Sequence, residues 1–190
     1  CGVRPDTPEL YFCPDLMGYG WCSRKGSYLN IGLGREDKHR LSDHLDAFCD
    51  FLKVRGSIPA DIPDAFHGHA YLLHGRGARK AFDHAALLIG DAAGLAYSES
   101  GEGIRPAVES ALLAAETIVE AGRDYRPQRL APYAQRLRSR LGSAKPARVT
   151  PAAGLQRLVG GRLLSNTWFT RHIVLDRWFL HAKQHALRAS

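Results

Sequence analysis

Apolar residues alternate with polar ones in short bursts near the start of the chain, and later fall into three-to-four-residue spacings. Residues 9–12, 20–24 and 28–34 read as short strands. Turn signals at Pro14-Asp15 and Lys25-Gly26-Ser27 join them into a small antiparallel meander. Leu41, Leu45, Phe48 and Leu52 then repeat at helical spacing, which predicts a helix over residues 41–54 with Ser42 near its start and Gly56 after its end. Residues 58–63 form a proline-marked connection, residues 67–73 a further strand, and residues 85–89 a buried strand. Helical patterns cover residues 104–121, 132–141, 151–164 and 167–187, and residues 142–151 read as a mobile linker. The order is sheet first and helices last, with no internal repeat. The expected class is α/β, more narrowly an α+β arrangement, in three parts: a sheet and helix (1–75), a strand-loop-helix unit (76–122) and a helical region (123–190).

A chain of 190 residues with 45% hydrophobic content is long enough to bury a core. It begins Cys1-Gly2-Val3 without a Met or a charged-then-apolar leader, so it reads as a fragment or a processed chain. No apolar run approaches the roughly 18 residues of a membrane span. Cys1, Cys13, Cys22 and Cys49 form no CxxC, which suggests neither a zinc site nor a disulfide framework and fits a reducing cytoplasm. Charge changes this picture. The net +7 is the sum of a basic region at 123–190, with 14 Lys/Arg against two Asp/Glu, and an acidic remainder at −5.

The candidate chemistry lies in LLIGDAAGLAYSESGEGIRPAVESALLAAETI, residues 87–118. A strand ending in Gly90-Asp91 leads through Ala92-Ala93-Gly94 and a loop to Gly101-Glu102-Gly103 and a long helix. Small side chains let backbone N–H groups approach a ligand, the helix N-terminus favours negative charge, and the Asp91 carboxylate accepts hydrogen bonds. That combination suits a ligand carrying both hydroxyls and anionic or carbonyl oxygens. An ordinary βα unit, with glycines for tight packing, is the other reading of the same residues.

This stretch resembles the second FAD-binding motif of the glutathione-reductase-like flavoproteins, within the branch that holds p-hydroxybenzoate hydroxylase and the geranylgeranyl reductases. The resemblance implies that Asp91 contacts the ribityl chain, that Ala92 and Ala93 face the pyrophosphate, and that Gly103 and Ile104 face the pyrimidine side of the flavin, with Gly90, Gly94 and Gly101 also among the cofactor-binding residues. A helix N-terminus there would stabilise the negative charge of reduced flavin. A second stretch, Tyr19-Gly20-Trp21 followed by Gly32-Leu33-Gly34, resembles the geranylgeranyl-reductase pattern of Tyr-x-Trp, Phe-Pro and a later Gly-x-Gly. Ser23-Arg24 stand in place of Phe-Pro, and Ser98 in place of a proline before the flavin-facing loop. The resemblance implies a substrate cavity bordered by Tyr19, Trp21, Gly32 and Gly34, with Tyr97 near the flavin. A same-face aromatic pair on a core strand is the alternative for Tyr19 and Trp21.

No GxGxxG is present, so the Rossmann βαβ half that grips the ADP portion of FAD is missing from this sequence and is the expected partner, on the same gene or a separate chain. The implied activity is an FAD-dependent reduction of C=C bonds in an isoprenoid or other apolar substrate, with NAD(P)H as a candidate electron donor. Aromatic monooxygenation and a non-catalytic binding module are the alternatives. No catalytic side chain is assigned, because the flavin carries the hard chemistry in such enzymes. His67 with His69, and His181 with His185, have metal-compatible spacing but lack a third ligand, so no metal is expected. Residues 167–187 place Trp168, Phe169, His172, Leu175 and Phe179 along one side with Arg171, Arg177 and Lys183 elsewhere, the makeup of an interfacial helix or, equally, of a helical cap whose aromatic face packs on the sheet and whose arginines are solvated. The expectation is a cytoplasmic protein with peripheral membrane contact; no nucleic-acid motif accompanies the scattered arginines.

Overall fold

The structure, a computed structural model, describes residues 2–3, 7–37, 40–62, 66–68, 70–75, 80–142, 153–185 and 187, the side chains of residues 153–158 excepted. In chain order the elements are β1 (Glu9–Phe12), β2 (Gly18–Lys25), β3 (Tyr28–Arg35), α1 (Leu41–Val54), β4 (Phe82–Asp83), β5 (Ala86–Leu87), a 3-10 turn (Gly90–Ala93), α2 (Ile104–Ala121), α3 (Pro127–Leu141), α4 (Ala153–Leu164) and α5 (Thr167–Phe169), which continues in π-helical turns over Thr170–Phe179. The class is mixed α/β, with two small antiparallel sheets and several helices. By contact density the chain divides into two compact units, Cys1–His67 with Pro151–Ser165, and Gly68–Thr150 with Asn166–Ser190.

In the first unit β1, β2 and β3 form the expected antiparallel meander, in that order. Lys25 pairs with Tyr28, leaving a two-residue turn in which Gly26 takes φ 60°, a left-handed conformation that glycine adopts without steric cost. At the other end Arg35, its side chain 3% exposed, reaches Asp15 at 2.6 Å and Asp37 at 2.7 Å, tying the β1–β2 turn to the end of β3. Those bonds hold both carboxyls below their ordinary range. α1 occupies the span its spacing predicts and buries Phe48 and Leu52 against Val3, Cys22 and Ile58. Gly20 leaves room for this contact, since a Cβ there would stand 2.6 Å from the Phe48 ring.

The second unit is built on α2 and α3. Leu113 and Ala114 from α2 meet Tyr133 and Leu137 from α3, with Leu95 completing the cluster. Tyr133 is fully buried, and its hydroxyl donates to the Leu88 carbonyl at 2.6 Å, so the one polar atom of a large core side chain is satisfied. Gly122, at φ 57°, ends α2 in the left-handed conformation typical of helix C-termini.

Four expectations need correction. Residues 67–73 hold no strand among their described positions; Leu73 makes an isolated parallel bridge to Ala96, and the exposed His67, Gly68 and Tyr71 leave no apolar face to bury. Residues 85–89 do not form a buried strand: only Ala86–Leu87 pair, with Phe82–Asp83, and Ile89 is 42% exposed. An apolar run marks a buried strand only when neighbouring strands and helices cover it, and the described residues supply a two-residue hairpin alone. α3 starts at Pro127, where a proline fits the first helical position, and Pro132 lies inside the helix rather than opening it. The last helix stops at Phe179, so His181 and His185 share no helical face; His67 lies outside any strand and His69 outside the described residues. Among the described residues, no helix is long and apolar enough to cross a membrane.

Candidate functional site

The segment from Gly90 to Ile104 folds back so that its turn sits against the first turns of α2. Gly90 takes φ 50°, and its N–H donates to the buried Ser110 Oγ at 3.0 Å. A Cβ on Gly90 would stand 3.0 Å from Ala107 Cβ, so the absence of a side chain is what permits the contact. Gly94, at φ 65°, closes the turn by donating to the Asp91 carbonyl at 3.0 Å. Asp91 and Ala92 face solvent, Ala93 and Gly94 are half-buried, and the chain then dives inward through Leu95, Ala96 and Tyr97. Gly101, at φ 70°, returns it: its N–H donates to the Tyr97 carbonyl at 2.7 Å, and its own carbonyl accepts from Tyr71 Oη at 2.8 Å. Gly103 precedes α2, and a Cβ there would stand 3.0 Å from Asp91 Oδ1. The fold thus brings Gly90, Asp91, Ala92, Ala93, Gly94, Gly101, Gly103 and the exposed Ile104 to one end of α2. A carboxylate acceptor beside small residues and a helix start can take a ligand with hydroxyls and anionic oxygens.

Two groups of this neighbourhood escape a reading by motif. Glu102 caps the helix: its Oε1 accepts from the backbone N–H of Ile104 at 2.7 Å and of Arg105 at 3.2 Å, while its Oε2 is buried without a hydrogen-bond partner. An acidic residue just ahead of a helix start is the signal for this role. The second group is Arg105, Glu109 and Arg140. Glu109 is 4% exposed, and Arg105 Nε reaches it at 3.0 Å and Arg140 Nε at 2.8 Å. Burial alone would push the Glu109 carboxyl up, but the hydrogen bonds from Arg140 and Arg105 outweigh it and leave the group below its ordinary range. Arg140 lies 31 residues from Glu109, too far for a local spacing rule to join them.

Tyr97 is buried rather than open to solvent. Its ring stacks on His181, centroids 3.7 Å apart and planes 27° from parallel. Burial pushes the Tyr97 hydroxyl up; burial and then the Arg105 charge hold His181 below its ordinary range, and His181 Nε2 is buried without a partner.

In the first unit, Tyr19 lies opposite Gly34 and Trp21 opposite Gly32 across the β2–β3 ladder. A Cβ on Gly32 would come 2.1 Å from Trp21 Cζ2: the indole lies flat over the bare backbone, and its Nε1 donates to Asn30 Oδ1 at 2.9 Å. Phe12, Tyr19 and Trp21 form a row with centroids 6.3 and 6.1 Å apart. Alternation along β2 puts this row on the face away from Gly20 and Cys22, which pack toward α1, so the pair is not part of the α1 core. Among the described residues, no group of three His, Cys, Asp or Glu is placed to hold a metal.

Among known proteins, the chain is similar to two reductases of the same name. The chain is 29% identical over 134 residues to digeranylgeranylglycerophospholipid reductase of Methanococcus vannielii, covering 67% of this chain and 34% of that protein. To the protein of the same name from Methanocaldococcus jannaschii it is 29% identical over 116 residues, 60% of this chain and 29% of that protein. The chain therefore spans about a third of the length of the curated relatives it matches. Both relatives are named as reductases, enzymes of the oxidoreductase class. No protein-family model and no solved structure matches the chain.

Proposed function

We propose that this chain is the second-motif portion of an FAD-dependent oxidoreductase that reduces C=C bonds of an isoprenoid or similar apolar substrate. The observation that carries the reading is the exposed Asp91 carboxylate held beside Gly103 at the head of an 18-residue helix, in a turn that Gly90 lets pack closely on Ala107. These residues fit a flavin. Asp91 would accept from ribityl hydroxyls, the small side chains of Ala92 and Ala93 would leave backbone N–H groups open to phosphate, and Gly103 with Ile104 would border the ring. A bound flavin supplies the hydride chemistry; the residues of this chain bind it, orient it and keep apolar surface around it. Trp21 and Tyr19, on their half-buried sheet face, offer an apolar wall for an isoprenoid chain, with Gly32 and Gly34 keeping it low.

The proposed partner is a dinucleotide-binding half. Along α2, Ile104, Val108 and Val119 are 78%, 56% and 79% exposed, an apolar stripe at helical spacing that such a half would cover. Peripheral membrane contact belongs to the same reading, because Trp168 is 64% exposed and Arg171, Arg177 and Lys183 all face solvent.

Asp91→Ala tests the flavin reading. Hydrogen bonds to a charged group are worth about 1.5–3 kcal/mol, so FAD affinity of the complete enzyme should fall roughly tenfold or more, while the melting temperature stays put because the side chain is exposed. Unchanged FAD affinity in a folded variant would dismiss the assignment. NAD(P)H consumption without O₂ uptake separates a reductase from a monooxygenase.

A further inference from the structure

We propose that residues 180–185 are a clasp over the loop of residues 97–103, and that its opening sets how fast a flavin reaches the first turn of α2. The proposal rests on the flavin reading of that loop; the clasp itself rests on four observations.

Residues 180–185 leave the last helix and cross the start of α2, held chiefly by their backbone. Arg105 donates to the carbonyls of Leu180 at 3.2 Å, His181 at 3.3 Å, Gln184 at 2.6 Å and His185 at 3.4 Å. Arg140 also donates to the His185 carbonyl, and the Gln184 side chain returns a bond to the Arg140 carbonyl at 3.0 Å. The buried Glu109 fixes both guanidinium groups from beneath, so their forks are aimed before the segment arrives.

The segment grips the loop through Tyr97, whose ring stacks on His181 and whose hydroxyl donates to Gln184 Oε1 at 3.5 Å. Tyr97 is the hinge of the loop: its N–H donates to the Glu102 carbonyl at 2.9 Å, and its carbonyl accepts from Gly101. Fixing that ring therefore fixes the turn that presents Glu102 and Gly103 to the helix start.

The closed arrangement also carries two costs. His181 sits at φ 46°, a left-handed conformation unfavourable for a residue with a Cβ, and its Nε2 is buried with no partner. A segment held in such a state by contacts made elsewhere is suited to two positions, closed and released. Finally, an open cleft of about 400 Å³ runs beside it, lined by Arg105, Val108, Glu109, Leu112, Gln184 and Leu187, so one edge of the segment borders solvent. Few buried contacts along an edge lower the free energy of local opening.

The test compares the native chain with His181→Ala, His181→Phe and Gln184→Ala by amide hydrogen exchange and by stopped-flow mixing with FAD. His181→Ala and Gln184→Ala should speed exchange of residues 180–185 and of residues 97–103 together, on the order of three- to tenfold, the size of one lost ring contact or one lost hydrogen bond. His181→Phe keeps a ring on Tyr97 and removes the unpartnered nitrogen, so the loop should stay at least as protected as in the native chain. With FAD as the probe, His181→Ala should associate several-fold faster and His181→Phe no faster than native. Faster exchange confined to residues 180–185, a loop exposed as much by Phe as by Ala, or an unchanged FAD association rate in His181→Ala would each overturn the clasp. FAD binding by none of the proteins, even with a dinucleotide-binding partner present, would instead defeat the flavin reading and with it the gating role, and the exchange data would then decide whether the clasp exists.

Discussion

Tyr133 shows how a single side chain sets a limit on the second unit. Burial pushes its hydroxyl from 10.0 up to about 12, because the phenolate would lose water while the phenol keeps its bond to the Leu88 carbonyl. A group whose folded pKa is raised contributes stability that is complete below the unfolded pKa and lost as pH rises through the folded one. Thermal melts should therefore hold steady up to about pH 10 and fall between 10 and 12, and Tyr133→Phe should flatten that fall while lowering stability at neutral pH by about 0.5–1.5 kcal/mol, the worth of one buried hydrogen bond. A variant that keeps the native alkaline loss would assign it to another group. At this scale the sequence was uneven as a guide. The turn glycines Gly90, Gly94 and Gly101 were readable, because left-handed turns leave few residue types to choose from. Arg105 was not: a guanidinium in the first turn of a helix looks the same whether it is solvated or committed to partners up to 80 residues away.

At the level of elements, α1 and α2 begin and end where their apolar spacing and flanking glycines indicate, since a long amphipathic helix carries its own evidence. Short strands carry less. Residues 85–89 are apolar enough for a buried strand and still pair over only two residues, because burial is conferred by neighbours rather than by the run itself. The junction of α2 and α3 depends on Glu109, whose side chain is 5% exposed between Arg105 and Arg140. Glu109→Gln removes the charge and leaves two guanidinium groups without their counterpart, and breaking such a buried set costs about 3–5 kcal/mol. Urea denaturation should show this loss at pH 7. The native carboxyl is held below its ordinary range, so its contribution is present above the unfolded pKa and disappears as pH falls through the lower, folded value; the gap between native and Glu109→Gln should narrow on acidification. A gap that stays constant down to pH 3 would mean that Glu109 acts by shape alone.

Across the whole molecule, charge is the most lopsided property: residues 123–190 hold all of the positive excess while the rest is net negative. If this region meets a membrane, binding to acidic vesicles should be strong at low salt and released toward 1 M, where the Debye length shrinks from about 10 Å to about 3 Å. Trp168, the ring left most open on this segment, should then shift its emission to the blue on binding. Equal affinity for neutral and acidic vesicles at low salt would leave the arginines as solvated surface. The division into two compact units bears on how such optical data are read. Each unit has a hydrophobic cluster of its own, and the three tryptophans are split between them, Trp21 in one and Trp168 with Trp178 in the other. Denaturation followed by total fluorescence is then a sum of two local reporters, and a single fitted midpoint would average them. Replacing Trp168 and Trp178 with Phe would make the indole resting on Gly32 a lone probe, and its transition should part from the far-ultraviolet circular dichroism curve, to which the helices of the other unit contribute most of the signal.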